Sequence, residues 1–193
     1  MKITQVKATT HNIPVDVPLL NTKTYRPITF AAVETDEGIA GYGLTSAPQR
    51  SGIKEFINRE AAPFLKGKNP LETERVWHEL QRTFNARSQG GAWSGAVSAI
   101  DIALWDIKGK KYREPVWRLL GGAQNPVACY ITFGLREFNI EQLIEMAKRF
   151  VNEGQDKLKM VVGINQAQSH LEDARRVKAV REAIQAMPER CRD

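Results

Sequence analysis

The sequence predicts two unlike parts in one chain. The first is an α+β domain, a three-stranded antiparallel sheet followed by helices; the second is an incomplete parallel β/α fragment. Three observations lead there. Residues 2–44 hold three β-type segments with a hairpin signal between the last two. Residues 92–108 are apolar on nearly every side of a helical wheel. From position 126 the pattern changes to strand, helix, strand, helix, the order that builds a parallel sheet.

The opening residues 2–13 alternate, with Ile3, Gln5, Lys7 and Thr9 set against Thr4, Val6 and Ala8, which predicts a strand. Residues 14–27 are polar and contain proline, and they predict a long loop holding Asn21, Thr22, Lys23, Thr24, Tyr25 and Arg26. Loops of that length are frequently functional. Residues 28–35 are β-branched and apolar, Asp36-Glu37-Gly38 is a turn, and residues 39–44 return as a strand. Two glycines in that return, Gly41 and Gly43, predict close packing against another element.

Helices follow. One is predicted over 51–65, broken near Pro63 and ended at Gly67. A second covers 70–84, with Asn69 as its cap and Pro70 in its first turn. Gln89-Gly90-Gly91 interrupts the chain before the apolar helix 92–108, where Trp93, Ala96, Val97, Ile100, Leu104 and Ile107 demand burial on most sides. A short helix over 115–120 ends at Gly121-Gly122.

Beyond Asn125-Pro126, residues 127–133 and 157–162 read as strands, and 139–152 and 167–186 as helices. The expected domains are therefore 1–125 and 126–193. Two parallel strands leave an open edge, and a closed (β/α) barrel takes about 250 residues, so the second part reads as unfinished. A third strand is due near the end, but Gln185 to Asp193 is polar and contains Pro188.

Composition excludes several classes. Of 193 residues, 42% are hydrophobic and 26% charged, which is ordinary for a folded domain. No apolar run reaches the ~20 residues of a membrane helix, and the first residues lack the apolar core of a secretory signal. Cys129 and Cys191 cannot build a disulfide framework, and no Cys/His spacing suits zinc. A cytoplasmic protein is expected. The net charge of +6 is scattered. Its densest cluster, Lys108 to Arg113, ends a helical pattern, where cations complement the helix dipole. With no nucleic-acid motif around it, neither a nucleic-acid nor a membrane partner is expected.

Several segments carry a resemblance. The run Ser98-Ala99-Ile100-Asp101-Ile102-Ala103-Leu104-Trp105-Asp106-Ile107-Lys108-Gly109-Lys110, then Pro115-Val116 and Leu119-Leu120-Gly121-Gly122, closely resembles the mandelate racemase/muconate lactonizing enzyme family of the enolase superfamily. So do Glu37-Gly38-Ile39-Ala40-Gly41-Tyr42-Gly43 and the strand Lys157-Leu158-Lys159, in matching order over residues 1–184. The resemblance implies an α+β capping domain followed by a (β/α) barrel. It implies Mg²⁺-assisted removal of the proton beside a substrate carboxylate, since that proton is weakly acidic and a divalent ion must absorb the developing charge.

By the same resemblance the base is a lysine of a Lys-x-Lys pair ending the second barrel strand. Residues i and i+2 of a strand share a face, so Lys157, Lys159 and Val161 align. Two registers are open: Lys157 and Lys159 as the pair, or Lys159 and Val161 in its place. Lys159 is a catalytic candidate in both, and Lys157 in one. Lys23, Tyr25 and Arg26 match the family's capping loop and are candidates to meet an anionic, hydroxylated substrate. The plain alternatives are surface lysines at a strand edge and ordinary loop solvation. Asp101 and Asp106 are expected to make structural hydrogen bonds or ion pairs, and His11, His78 and His170 have no assigned role.

The family's metal carboxylates come from later strands, so no residue here is assigned to metal. Asp193 falls near the first ligand position by counting alone. Mg²⁺ is expected for the family and not for this chain. A complete member is expected to act on a small carboxylate, with dehydration of a sugar acid favoured by the polar loop bearing Lys23 and Arg26. A racemase or cycloisomerase is the alternative within the family, and a non-catalytic remnant or interaction module the alternative outside it. The chain alone is expected to be inactive. Homo-oligomers are compatible with the family.

Overall fold

The computed structural model describes residues 1–19, 23–84, 90–122, 126–135, 137–163 and 169–187. Gln89 of the expected break, the linker 123–125 and the tail from Pro188 to Asp193 lie outside the described residues, as do Asn21 and Thr22. The chain divides into two compact units. One contains Met1–Val15 and Tyr25–Asn125, the other Asp16–Thr24 and Pro126–Asp193.

Strand β1 spans Ile3–Asp16, β2 Lys23–Thr35 and β3 Ala40–Thr45. They form one sheet in the order β1-β2-β3, and β2 and β3 are antiparallel with Ala32 opposite Tyr42. The expected long loop over 14–27 is corrected: residues 14–16 belong to β1 and residues 23–27 to β2. Pro27 is tolerated within β2 because β3 pairs only from Thr29 onward, so at Pro27 one side of the strand has no β3 neighbour needing an N–H. The strict alternation expected in β1 is also corrected. Ile3, Val6 and Ala8 are all buried, so the inward phase shifts by one residue between Ile3 and Val6.

The sheet lays Ala31 and Val33 on a core completed by the helices. Helix α1 (Arg50–Phe56) runs through a wide π-helical turn (Ile57–Ala61) into α2 (Ala62–Leu65). The expected break at Pro63 takes this form because proline cannot donate to the carbonyl four residues back and crowds it. Helix α3 spans Thr73–Phe84 and begins later than expected, since Asn69 and Pro70 form a turn in which the Asn69 side chain accepts from Leu71 N–H at 3.1 Å. Helix α4, Gly91–Tyr112, is the centre of the unit; Ala96, Ala99, Ile100, Ala103 and Ile107 are fully buried. A short α5, Val116–Leu119, follows.

Gly41 and Gly43 allow β3 to rest directly on α4. A Cβ at Gly41 would lie 2.1 Å from the Ala103 carbonyl oxygen, and one at Gly43 2.0 Å from that of Ala99. On both outer strands of the sheet, side chains then take up some of the backbone groups. At β3, Asp106 accepts from Tyr42 N–H at 2.9 Å, and Lys110 donates to Asp106 and to the Ala40 carbonyl, each at 2.7 Å. At β1, Asn58 of the π-helical turn accepts from Ala8 N–H at 2.7 Å and donates back to the Ala8 carbonyl. Unpaired strand edges invite association, and at Ala8, Tyr42 and Ala40 these side chains occupy the backbone groups instead. Asp106 thus has the structural role expected of it.

The second unit holds β4 (Ile131–Phe133), α6 (Ile140–Asn152), β5 (Leu158–Met160) and α7 (His170–Gln185). Its strands are shorter than expected and pair in parallel. Asn139 caps α6 through a reciprocal pair with Gln142, the capping box that satisfies two otherwise unpaired N–H groups. Phe133, Phe138, Leu143, Met146, Ala147 and Val180 form a small core. Buried Arg176 donates to the Phe138 carbonyl. Among the described residues no helix is long and apolar enough to cross a membrane.

The glycine contacts separate two substitutions. Gly43→Ala is expected to cost about 3 kcal/mol, the upper range for forcing atoms into a packed core. Gly52→Ala, whose Cβ would meet only Ala92 Cβ at 3.5 Å, is expected to stabilise α1 by about 0.5–1 kcal/mol. Urea midpoints of the two variants check both signs. A second expectation concerns Asp101 on α4, whose carboxyl is pushed above its ordinary pKa, first by burial and then by Glu74. A raised carboxyl pKa favours the folded state at acid pH and loses that contribution as pH rises through it. Asp101→Asn is therefore expected to raise Tm at pH 7, with the difference shrinking towards pH 3–4, as read by thermal melts across that range.

Candidate functional site

The candidate base lysines stand on the parallel pair. Thr132 lies opposite Lys159, between the pairs Ile131–Leu158 and Phe133–Met160. The ladder runs past the strand ends, since Ile131 N–H donates to the Lys157 carbonyl at 3.0 Å and Val161 N–H to the Phe133 carbonyl at 2.9 Å. Leu158 and Met160 pack with the helices around Phe133, whereas Lys157, Lys159 and Val161 are exposed. Alternation therefore puts those three residues on the face away from the helices. Lys159 is central in both registers left open by the sequence.

Their surroundings differ. Lys157 Nζ is 2.8 Å from Asp156 Oδ2, both side chains being more than half exposed. The hydrogen bond to Asp156, then its charge, raises the Lys157 pKa above the ordinary lysine value. A base acting near neutral pH needs the opposite shift. Lys159 Nζ sits 5.3 Å from the centre of the Tyr130 ring, within reach of a cation–π attraction. Gly134, just after β4, has φ 91° and comes close to β5: a Cβ there would lie 3.3 Å from Met160 Cγ and from Val161 N. That glycine keeps the ends of the two strands together, where a parallel sheet presents its site.

Beside β5 an open groove of about 660 Å³ is lined by Leu158, Met160, Val177, Val180 and Ile184, and also by Lys157, Lys159 and Arg181. Among the described residues β5 pairs with β4 alone. No three His, Cys, Asp or Glu side chains gather to hold a metal ion among the described residues.

Lys23, Tyr25 and Arg26 lie along the start of β2, each exposed. They occupy strand rather than the expected loop, and Lys23 belongs to the second compact unit. Two neighbours of the lysines escaped the sequence argument. Asp156 was visible as an adjacent acid, but its pairing depends on rotamer. Tyr130 is brought to Lys159 only by the parallel register.

A sheet of three antiparallel strands backed by a buried helix, followed by parallel β/α units with lysines on their open face, defines a class. Residues 1–121 match the model of the mandelate racemase/muconate lactonizing enzyme N-terminal domain. The chain belongs to the mandelate racemase/muconate lactonizing enzyme family. It is 33% identical over 192 residues to D-galactarolactone cycloisomerase of Agrobacterium fabrum, covering 95% of this chain and 49% of the relative. It is 32% identical over 155 residues to arabinonate dehydratase of Saccharolobus solfataricus, covering 79% and 41%. The crystal structure of L-talarate/galactarate dehydratase from Salmonella typhimurium LT2, liganded with Mg and L-lyxarohydroxamate, superposes with a TM-score of 0.80 at 27% identity, over 95% of this chain and 49% of that one. Racemases are also among the relatives. The chain spans about half the length of the curated relatives it matches.

Removing the acid next to Lys157 should reverse its perturbation. Asp156→Asn is expected to bring the Lys157 ammonium to a lower titration midpoint than in the parent chain. NMR titration of the Lys157 side chain in both proteins checks it.

Proposed function

We propose that residues 1–193 are the capping domain, 1–125, and the first two β/α units, 126–193, of a cytoplasmic Mg²⁺-dependent sugar-acid dehydratase, and that this chain alone has no turnover. The observation carrying this is the exposed lysine face of β5 in a chain whose relatives are sugar-acid dehydratases, cycloisomerases and racemases. Lys159, with Lys157 beside it, takes the α-proton of a carboxylate substrate. A positioned lysine can accept that proton once its pKa falls towards neutrality, so the chemistry requires Lys157 or Lys159 to lose cation-stabilising contacts such as that with Asp156. Lys23, Tyr25 and Arg26 bind the hydroxylated, anionic body of the substrate. On this reading the carboxylates that hold Mg²⁺ come from other segments of the complete enzyme.

A cycloisomerase is the second reading, supported by the names of two relatives. It begins with the same proton abstraction and differs in product. The test is to extend the chain with the remaining barrel segment of the Agrobacterium fabrum relative and to screen sugar acids and their lactones with Mg²⁺. The extended protein is expected to release water from a sugar acid, with Lys159→Ala losing about 10²–10⁴-fold in kcat, while the 193-residue chain turns over nothing. Rearrangement without loss of water selects the cycloisomerase, and turnover only of apolar or peptide substrates rejects both.

A further inference from the structure

We propose that Gln142 is a positioning residue that ties the β1–β2 turn, and with it the Lys23 end of β2, to the strand–helix unit bearing Lys157 and Lys159. Gln142 lies in the first turn of α6. Its Oε1 accepts from Asn139 N–H at 3.0 Å and its backbone N–H donates to Asn139 Oδ1 at 2.8 Å, closing the capping box. The other end of the same amide, Nε2, donates to the Leu19 carbonyl at 3.1 Å.

The box uses only the acceptor half of this side chain, so glutamate would serve α6 as well. The donor half, which glutamate lacks when ionised, is what reaches Leu19. Leu19 holds a left-handed conformation, φ 66°, uncommon for a residue other than glycine. Two residues earlier, Val17 packs against the Phe133 core cluster. Among the described residues, Val17 thus gives this segment an apolar attachment and Leu19 a polar one, and residues 16–24 belong to the same compact unit as α6 and β5. Lys23 opens β2 four residues after Leu19. A segment ordered in advance loses less conformational freedom when a ligand binds. The consequence for substrate rests on the assignment of Lys23 proposed above; the tie itself does not.

Gln142→Glu and Asn139→Ala separate the two roles. Gln142→Glu keeps the acceptor for Asn139 and turns a carboxylate oxygen towards the Leu19 carbonyl. Amide exchange at Leu19 and Lys23, together with trypsin cleavage after Lys23, is expected to rise about fivefold, the loss of one exposed hydrogen bond, with α6 amides within about twofold of the parent chain. Asn139→Ala is expected to do the reverse, loosening the first turn of α6 and leaving Leu19 and Lys23 protected. Should Gln142→Glu also loosen α6, the Leu19 and Lys23 rates are read against Asn139→Ala at equal loss of α6 protection. A residue serving α6 alone would leave Leu19 and Lys23 unchanged in Gln142→Glu, and that result overturns the proposal. No substrate enters the measurement, so it can fail while the assignment of Lys23 stands, and the converse.

Discussion

The first unit depends on how closely the β3 backbone approaches α4. Gly41 and Gly43 face Ala99 and Ala103 with no room for a Cβ between them. This distance decides more than packing. It brings Asp106 and Lys110 to the free edge of β3, where they satisfy backbone groups that the sheet leaves open. It also lets Lys111, one residue further along α4, reach Glu37 in the turn between β2 and β3 at 2.5 Å. Each of these contacts is modest alone, as exposed ion pairs are. Together they fix the register of the helix on the sheet, because all three require the same small residues at the interface.

The two units manage their strand edges differently. In the first, Asn58 closes β1 and the Asp106–Lys110 pair closes β3. In the second, β5 lies beside an apolar groove and pairs, among the described residues, with β4 alone. The face of β5 away from the helices carries Lys157 and Lys159. Asp156, exposed beside Lys157, favours the Lys157 ammonium, the opposite of the shift that a base near neutral pH needs.

The candidate site residues are divided between distant parts of the sequence. The candidate substrate contacts lie at the start of β2, and the candidate bases lie on β5, over a hundred residues later. The Gln142 side chain joins the start of α6 to Leu19, four residues before β2 opens, through its two amide ends. The sequence shows the capping box at Asn139 and Gln142, since its spacing is local, but it cannot show the bond to Leu19, which spans 123 residues.

By itself the sequence determined what rests on local chemistry and periodicity: the three strands, the turn at Gly38, the fully buried helix around Ile100, the β/α alternation after Pro126, and the Lys157–Lys159 spacing. These follow from backbone preferences and from which side chains avoid water, and both can be read within a few residues. Only the tertiary structure decided that residues 14–16 and 23–27 are strand, because β-pairing with a neighbour outweighs local composition when one side of Pro27 is left unpaired. It likewise decided that the break near Pro63 is a π-helical turn whose Asn58 closes the sheet edge. The partners of the candidate lysines, Asp156 by rotamer and Tyr130 by register, belong to the same group. Each of these is set by distances between residues that the chain order does not bring together, and such distances exist only once the elements have packed.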